Sequence, residues 1–502
     1  MSPAVLAGRI AVRLVLGAAL AAIGPAGAGA SPATKAAGPE IPLPPVRDVT
    51  LPNGARLLLA ERHDVPMISF MAYLRGGSVT DPPGREGVAA LTGEMLRKGA
   101  GRWNARQLAD AVDGVGAAFG VGSGMEVFYA SGEFLARDQK LMLDLLRAVL
   151  REPTFPDSEF TKLRAQTVDG LKASKEDPGN VFRLYGNAYL FGGHPYGRPV
   201  GGDEETVAAL TRDDVLRCYR EQFGADRLIL AVVGDFSAAA MERTLRAAFG
   251  DWGRAPAALP SVPEVPRVAG RRVLLVDKPD ATQTYFVLAN RGVEKTDPDR
   301  DVLAVANTAF GGRFTSMLNA SLRTESGLTY GASCRLTPYS KGGSLSIGSY
   351  AKTESAGKAI DLALDILKRF RGKGISADML SSSRNYINGQ FPYELETSSQ
   401  LAARLAADSF YGLGREEISG YPARIAAVDS AAVARVVARV YPDDQDLSIV
   451  MVGNAAALRD LARRYGKVRE IPLSAPMIAA LRALEGGAGG GSGAGSGSKA
   501  AR

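Results

Sequence analysis

The chain has 502 residues, 46% of them hydrophobic and 23% charged, a balance that excludes a disordered chain and a length that exceeds what one hydrophobic core serves. Its formal charge is +7, but Arg9, Arg13, Lys499 and Arg502 sit at the two extremes. The +3 left between them, with no basic stripe interleaved with aromatics, argues against a nucleic-acid partner.

Arg9 and Arg13 precede an apolar run from Leu14 to Ala30 that ends in small residues at alternate positions. That is the pattern of a cleavable signal peptide over residues 1–30, and it implies export to the periplasm. Gly24 and Pro25 break the run, which is too short to cross a bilayer, so no integral membrane segment is expected in the mature chain; a retained anchor is the lesser alternative. A linker (31–46) follows. The first domain, 47–253, opens with two apolar runs around Asn53-Gly54, a hairpin signal. Apolar periodicity then predicts helices over 86–98, 104–115, 138–151, 157–175 and 212–223, and a closing strand over 228–236. Pro256, Pro260, Pro263 and Pro266 mark an interdomain linker over 254–270, a second domain runs from 271 to 484, and a flexible Gly/Ser tail occupies 485–502. Cys218 falls in a helical pattern of the first half and Cys334 on an apolar strand face of the second, so both are expected to be buried free thiols.

The second half repeats the first. Thr80-Asp81-Pro82 matches Thr296-Asp297-Pro298, and the closing strand LILAVVGD has its counterpart in LSIVMVGN. Two distant matches at nearly one offset imply a duplicated domain. The fold class expected is α+β: two α/β halves, each a mainly antiparallel sheet packed with helices. Within the second half, GGRFTSMLNASLRTESGLTYGASCRL (311–336) draws most attention. Phe314, Met317, Leu318 and Leu322 predict an amphipathic helix, Gly327 ends it, and alternation from Leu328 to Leu336 predicts a strand. Arg323 then stands in the last helical turn and Tyr330 at the start of the strand. Both can donate hydrogen bonds to a carbonyl oxygen.

The duplicated halves, the LPNG hairpin, the TDPPGREGVAALTGEML helix, the HPYGRPVGG loop (194–202) and the 311–336 segment together resemble the inverted-zincin metallopeptidases, the family of pitrilysin, insulin-degrading enzyme and mitochondrial processing peptidase. Peptide-cutting members carry His-x-x-Glu-His on the first helix, where two histidines hold zinc and the glutamate is the general base. Here that register reads Ala90-Leu91-Thr92-Gly93-Glu94, and the distal glutamate ligand should fall near Asp169. A catalytic zinc takes three protein ligands, and Glu94 with Asp169 makes two. The resemblance therefore implies no metal in this chain. It also implies that Arg323 and Tyr330 match the pair with which the family's second half holds a substrate carbonyl and stabilises the oxyanion.

Taken together, these readings suggest an exported, zinc-less subunit of a two-chain peptidase, which would supply Arg323 and Tyr330 to a homologous partner that carries the zinc and cuts unfolded peptides. The rival reading is a scaffold or binding protein of the same fold. A stand-alone enzyme with a different site is disfavoured by the presence of only two histidines and by the lack of any Ser/His/Asp or Cys/His pattern.

Overall fold

The computed structural model describes residues 42–486; the expected signal peptide, most of the linker after it and nearly all of the Gly/Ser tail lie outside them. In the first half the strands are β1 (Val46–Thr50), β2 (Arg56–Glu61), β3 (Met67–Arg75), the short ladder β4 (Gly99–Ala100) with β5 (Trp103–Asn104), β6 (Ala118–Ser123), β7 (Val127–Leu135) and β8 (Leu228–Gly234). In the second they are β9 (Arg272–Asp277), β10 (Gln283–Arg291), β11 (Ala332–Tyr339), β12 (Gly342–Lys352), β13 (Ser448–Gly453) and β14 (Lys467–Pro472). Among the described residues they form two six-stranded sheets, ordered β1-β2-β8-β3-β7-β6 and β14-β9-β13-β10-β12-β11.

Five strands of each sheet correspond one to one, which is the duplication seen as topology. The sixth does not: β1, from the start of the chain, pairs antiparallel with β2, whereas β14, from its end, pairs parallel with β9. Both sheets are mixed, since β2 also runs parallel to β8 and β9 to β13. The expected hairpin forms between β1 and β2, with Gly54 at φ +99 and the Asn53 amide donating to the carbonyls of Phe249 and Trp252. Helices Val88–Met95, Ala105–Asp113, Gln139–Arg151, Asp157–Ser174 and Arg212–Gln222 fall where apolar spacing put them.

The central strands β8 and β13 are buried at every position, because each sheet is covered on both faces. Leu228, Leu230 and Val232 face the helices of the first half, while Ile229, Ala231 and Val233 face Leu401, Leu405 and Phe410 of helix Ser398–Phe410, which the second half contributes. The exchange is reciprocal. Helix Pro178–Phe191 of the first half covers the second sheet, with Gly186 seated against Val287 and the carbonyls of Tyr189 and Leu190 accepting from Arg272. Both helices have clear start signals: Asp177 caps the first with Pro178 at its opening position, and Thr397 with Gln400 forms a capping box on the second. Segment 254–270 carries no helix or strand, yet its own Val265 and Val268 are buried. The last helix, Met477–Gly486, returns to the first half, where the Ile478 amide donates to Asp203 and Arg482 pairs with the fully buried Glu86.

Candidate functional site

Helix Val88–Met95 presents the positions expected for the zinc motif. Ala90 offers no ligand atom. Gly93 is not an arbitrary loss: a Cβ built there would lie 2.6 Å from the carbonyl carbon of Gly122 on β6, so the helix touches the strand backbone where a general base would need its side chain. Gly122 is itself required, because a Cβ at that position would meet the Tyr129 hydroxyl at 2.6 Å. Glu94 lies 3.5 Å from Arg97 in a solvent-facing pair, and Asp169 is exposed on helix Asp157–Ser174. Among the described residues no three His, Cys, Asp or Glu side chains gather as a metal site. The residues present do not fit a catalytic zinc.

The histidines serve elsewhere. His194 is buried, with Nδ1 accepting from the Tyr196 amide and Nε2 facing the Pro263 carbonyl at 2.9 Å, so its two ring nitrogens pin the loop to the interdomain segment. His63 is exposed between β2 and β3. Its Nδ1 lies 2.7 Å from Asp235, and that carboxylate, helped by Glu61, raises the imidazole pKa. Cys218 and Cys334 are buried free thiols, and burial pushes the Cys218 thiol up to about 12.

The 311–336 segment differs from its sequence-based expectation in two respects. Phe314 is not part of a buried stripe: it precedes the helix and is 63% exposed. Regular helix covers only Met317–Asn319 and widens into a π-helical turn over Ala320–Glu325, where Ser326 donates back to Ser321. The strand begins at Ala332 rather than Leu328, because the amides of Leu328 and Thr329 are taken by the Leu322 carbonyl instead of by a ladder. Gly327, at φ +64, makes the left-handed reversal.

These differences place Arg323 and Tyr330. Leu322, next to Arg323, is bonded to Thr329, next to Tyr330, so both residues leave one tight turn. The turn is held from behind. Asn319 accepts from the Ala332 amide and donates to the Phe314 carbonyl, and the Ser349 hydroxyl of β12 reaches the Gly331 carbonyl at 2.9 Å. Tyr330 is 78% exposed. The Arg323 guanidinium lies 4.6 Å over the Phe314 ring, a cation–π contact that holds the charge at the surface. Both donors are fixed in backbone, and among the described residues neither side chain has a hydrogen-bond acceptor.

Sequence reasoning missed the residues that join the halves. Glu126, buried in the β6–β7 turn, accepts from the Tyr196 hydroxyl, the Tyr411 hydroxyl and the Ser340 amide. Its partners lie 70 to 285 residues away along the chain, and no local pattern announces them.

Family models match both halves. Residues 57–204 match insulinase (peptidase family M16) and residues 209–386 match the peptidase M16 inactive domain. An uncharacterized zinc protease of Streptomyces coelicolor is 27% identical over 78% of this chain and 87% of its own length. A non-peptidase homolog, YmxG, of Helicobacter pylori is 23% identical over 68% of this chain and 79% of that protein. Among solved structures, a peptidase M16 inactive domain from Pseudomonas fluorescens superposes with a TM-score of 0.76 at 24% identity, covering 82% of this chain and 98% of that one. With models matching on either side of residue 205, and with Ala90, Gly93 and Glu94 in the zinc-motif register, the chain belongs to peptidase family M16 as a member without the zinc-binding motif.

Proposed function

We propose that this chain is the zinc-less subunit of an exported, heteromeric metallopeptidase, and that Arg323 and Tyr330 complete the active site of a homologous zinc-bearing partner that hydrolyses unfolded peptides. The observation that carries the reading is the contrast between the two halves. The first half has filled its metal position with a glycine contact, while the second keeps Arg323 and Tyr330 exposed on a braced turn with no acceptor among the described residues. In this reading Arg323 holds a substrate carbonyl, and the Tyr330 hydroxyl donates to the oxyanion formed when the partner's activated water attacks. The signal-peptide pattern at residues 1–30 supports a periplasmic site of action.

The test is turnover by the assembled complex carrying Tyr330→Phe. The hydroxyl meets little charge on a neutral carbonyl but a full oxyanion in the transition state, so its loss should fall on kcat. At about 3 kcal/mol the expected drop is on the order of a hundredfold, with assembly and zinc content unchanged. Arg323→Ala, which removes a ground-state contact as well, should also raise KM. Wild-type turnover from a zinc-loaded Tyr330→Phe complex would reject the composite site and leave the chain as a scaffold.

A further inference from the structure

Helix Pro178–Phe191 covers the middle of the second sheet and leaves one end of the same face open. Residues directly opposite across a ladder share a face, so Ser333 stands with Gly348 and Val287, and Arg335 with Ser346 and Ala289. Val287 and Ala289 lie in the core beneath the helix. Towards the edge strand β11 that cover runs out: Ser333 and Ser346 are half-buried and Arg335 is exposed. The open floor is polar.

Two arginines meet on it. Arg183 comes from the helix and lies flat against β12, where a Cβ at Gly348 would sit 2.6 Å from its Nη2. That Nη2 donates to the Ser333 hydroxyl at 3.0 Å, the guanidinium lies 5.0 Å over the Phe182 ring, and Nη1 has no acceptor among the described residues. Burial, then the nearby Arg335, lowers the Arg183 pKa to about 10, and no carboxylate acts on it. Arg335 itself has neither a hydrogen bond nor an ion pair among the described residues. Two carboxylates border this face, and both are spent: Asp177 accepts from the Gly179 amide, and Glu126 accepts from Tyr196, Tyr411 and the Ser340 amide. Two like charges held together with no counter-charge from the chain complement a negative group from outside it.

We propose that this end of the sheet binds a peptide segment carrying an acidic side chain, with Arg335 contacting the carboxylate and Arg183 adding uncompensated positive charge behind it. Position favours a peptide as the occupant. Arg335 follows Tyr330 by five residues, which is at most about 17 Å of extended backbone. As a statement about substrates the proposal rests on the composite-site reading, and it places the acidic residue within about five residues of the scissile bond. As a binding site it needs neither partner nor turnover.

Calorimetric titration of the isolated full chain tests it with three probes: an acetylated, amidated heptapeptide with glutamate at its centre, the same peptide with glutamine there, and inorganic phosphate. The glutamate peptide should bind at least roughly tenfold more tightly than its glutamine twin, as gain of a charge-assisted hydrogen bond requires. Arg335→Gln should erase that preference and Arg183→Met should reduce it several-fold. Should Arg183→Met not fold, Arg335→Gln, a change at an exposed position, decides the matter with the peptide comparison. Equal affinity for the two peptides, no heat from either at millimolar concentration, or a preference that survives either change overturns the proposal. Phosphate binding as tight as that of the glutamate peptide overturns it in favour of a small anion. Tyr330→Phe should bind the glutamate peptide as the wild type does, so an absent preference condemns this site alone, and an intact preference with undiminished turnover in Tyr330→Phe condemns the composite site alone.

Discussion

Gly93 is the residue at which the lost metal site becomes a packing requirement. In most helix interiors Gly→Ala stabilises by about 1 kcal/mol. Here the new methyl would enter the backbone of Gly122, so Gly93→Ala should reverse the sign and cost roughly 1–3 kcal/mol in urea unfolding. A more stable variant would show that the contact yields. Restoring His-x-x-Glu-His by Ala90→His, Gly93→Glu and Glu94→His should for the same reason destabilise the chain and still hold no stoichiometric zinc by metal analysis. His63 gives a second check at this scale. Asp235 and Glu61 raise its pKa, so its ring should titrate above the ordinary histidine range by NMR, and Asp235→Asn should bring it down. A raised folded pKa stabilises below the unfolded value, so this contribution is lost as pH rises through the folded one. The vacant motif was legible through the family resemblance, which sets its register on the first helix. The packing of Gly93 was not, because its contact is with Gly122, which only the fold brings against the helix.

Helix Ser398–Phe410 shows what a periodic pattern does and does not say. Neither it nor Pro178–Phe191 is among the helices that the spacing predicts, and the sheet each covers belongs to the other half of the chain. Amphipathic spacing specifies that a face is buried, not against what. Leu401→Ala should therefore cost about 2–5 kcal/mol and expose the β3–β8 face of the first sheet, although the residue is numbered in the second. Protection of the β8 amides against hydrogen exchange should fall in that variant; loss confined to residues beyond 271 would contradict the exchange of helices. The 314–332 stretch was misread for a different reason. Phe314 lies ahead of the helix, which starts only after Ser316, and the π-helical turn that follows brings the Leu322 carbonyl to the amides of Leu328 and Thr329, which delays the strand to Ala332. The irregularity coincides with the turn that carries Arg323 and Tyr330.

At the scale of the molecule, exchanged helices and a shared carboxylate make the halves one cooperative unit. Glu126 comes from the first half, as does Tyr196, while Tyr411 and the Ser340 amide come from the second. The Tyr196 hydroxyl also accepts from the Lys341 amide at 3.1 Å, so its proton is committed to Glu126. Every group around the carboxylate is a donor, and a carboxamide would aim hydrogens at hydrogens. Glu126→Gln should thus lower stability by roughly 1–3 kcal/mol, the cost of leaving a buried donor unpaired. Calorimetry should still show a single transition, because the exchanged helices remain. Combined with Tyr411→Phe, the loss should be less than additive, since both changes act on one network. Burial first, and Glu126 second, raise the Tyr411 pKa, so the folded state keeps the phenol protonated where the unfolded chain would ionise. Stability from that group is complete below about pH 10 and is lost as pH rises beyond it, so Tyr411→Phe should flatten the alkaline decline. Additive effects, or an alkaline profile indifferent to Tyr411, would mean that the halves are joined by their helices alone.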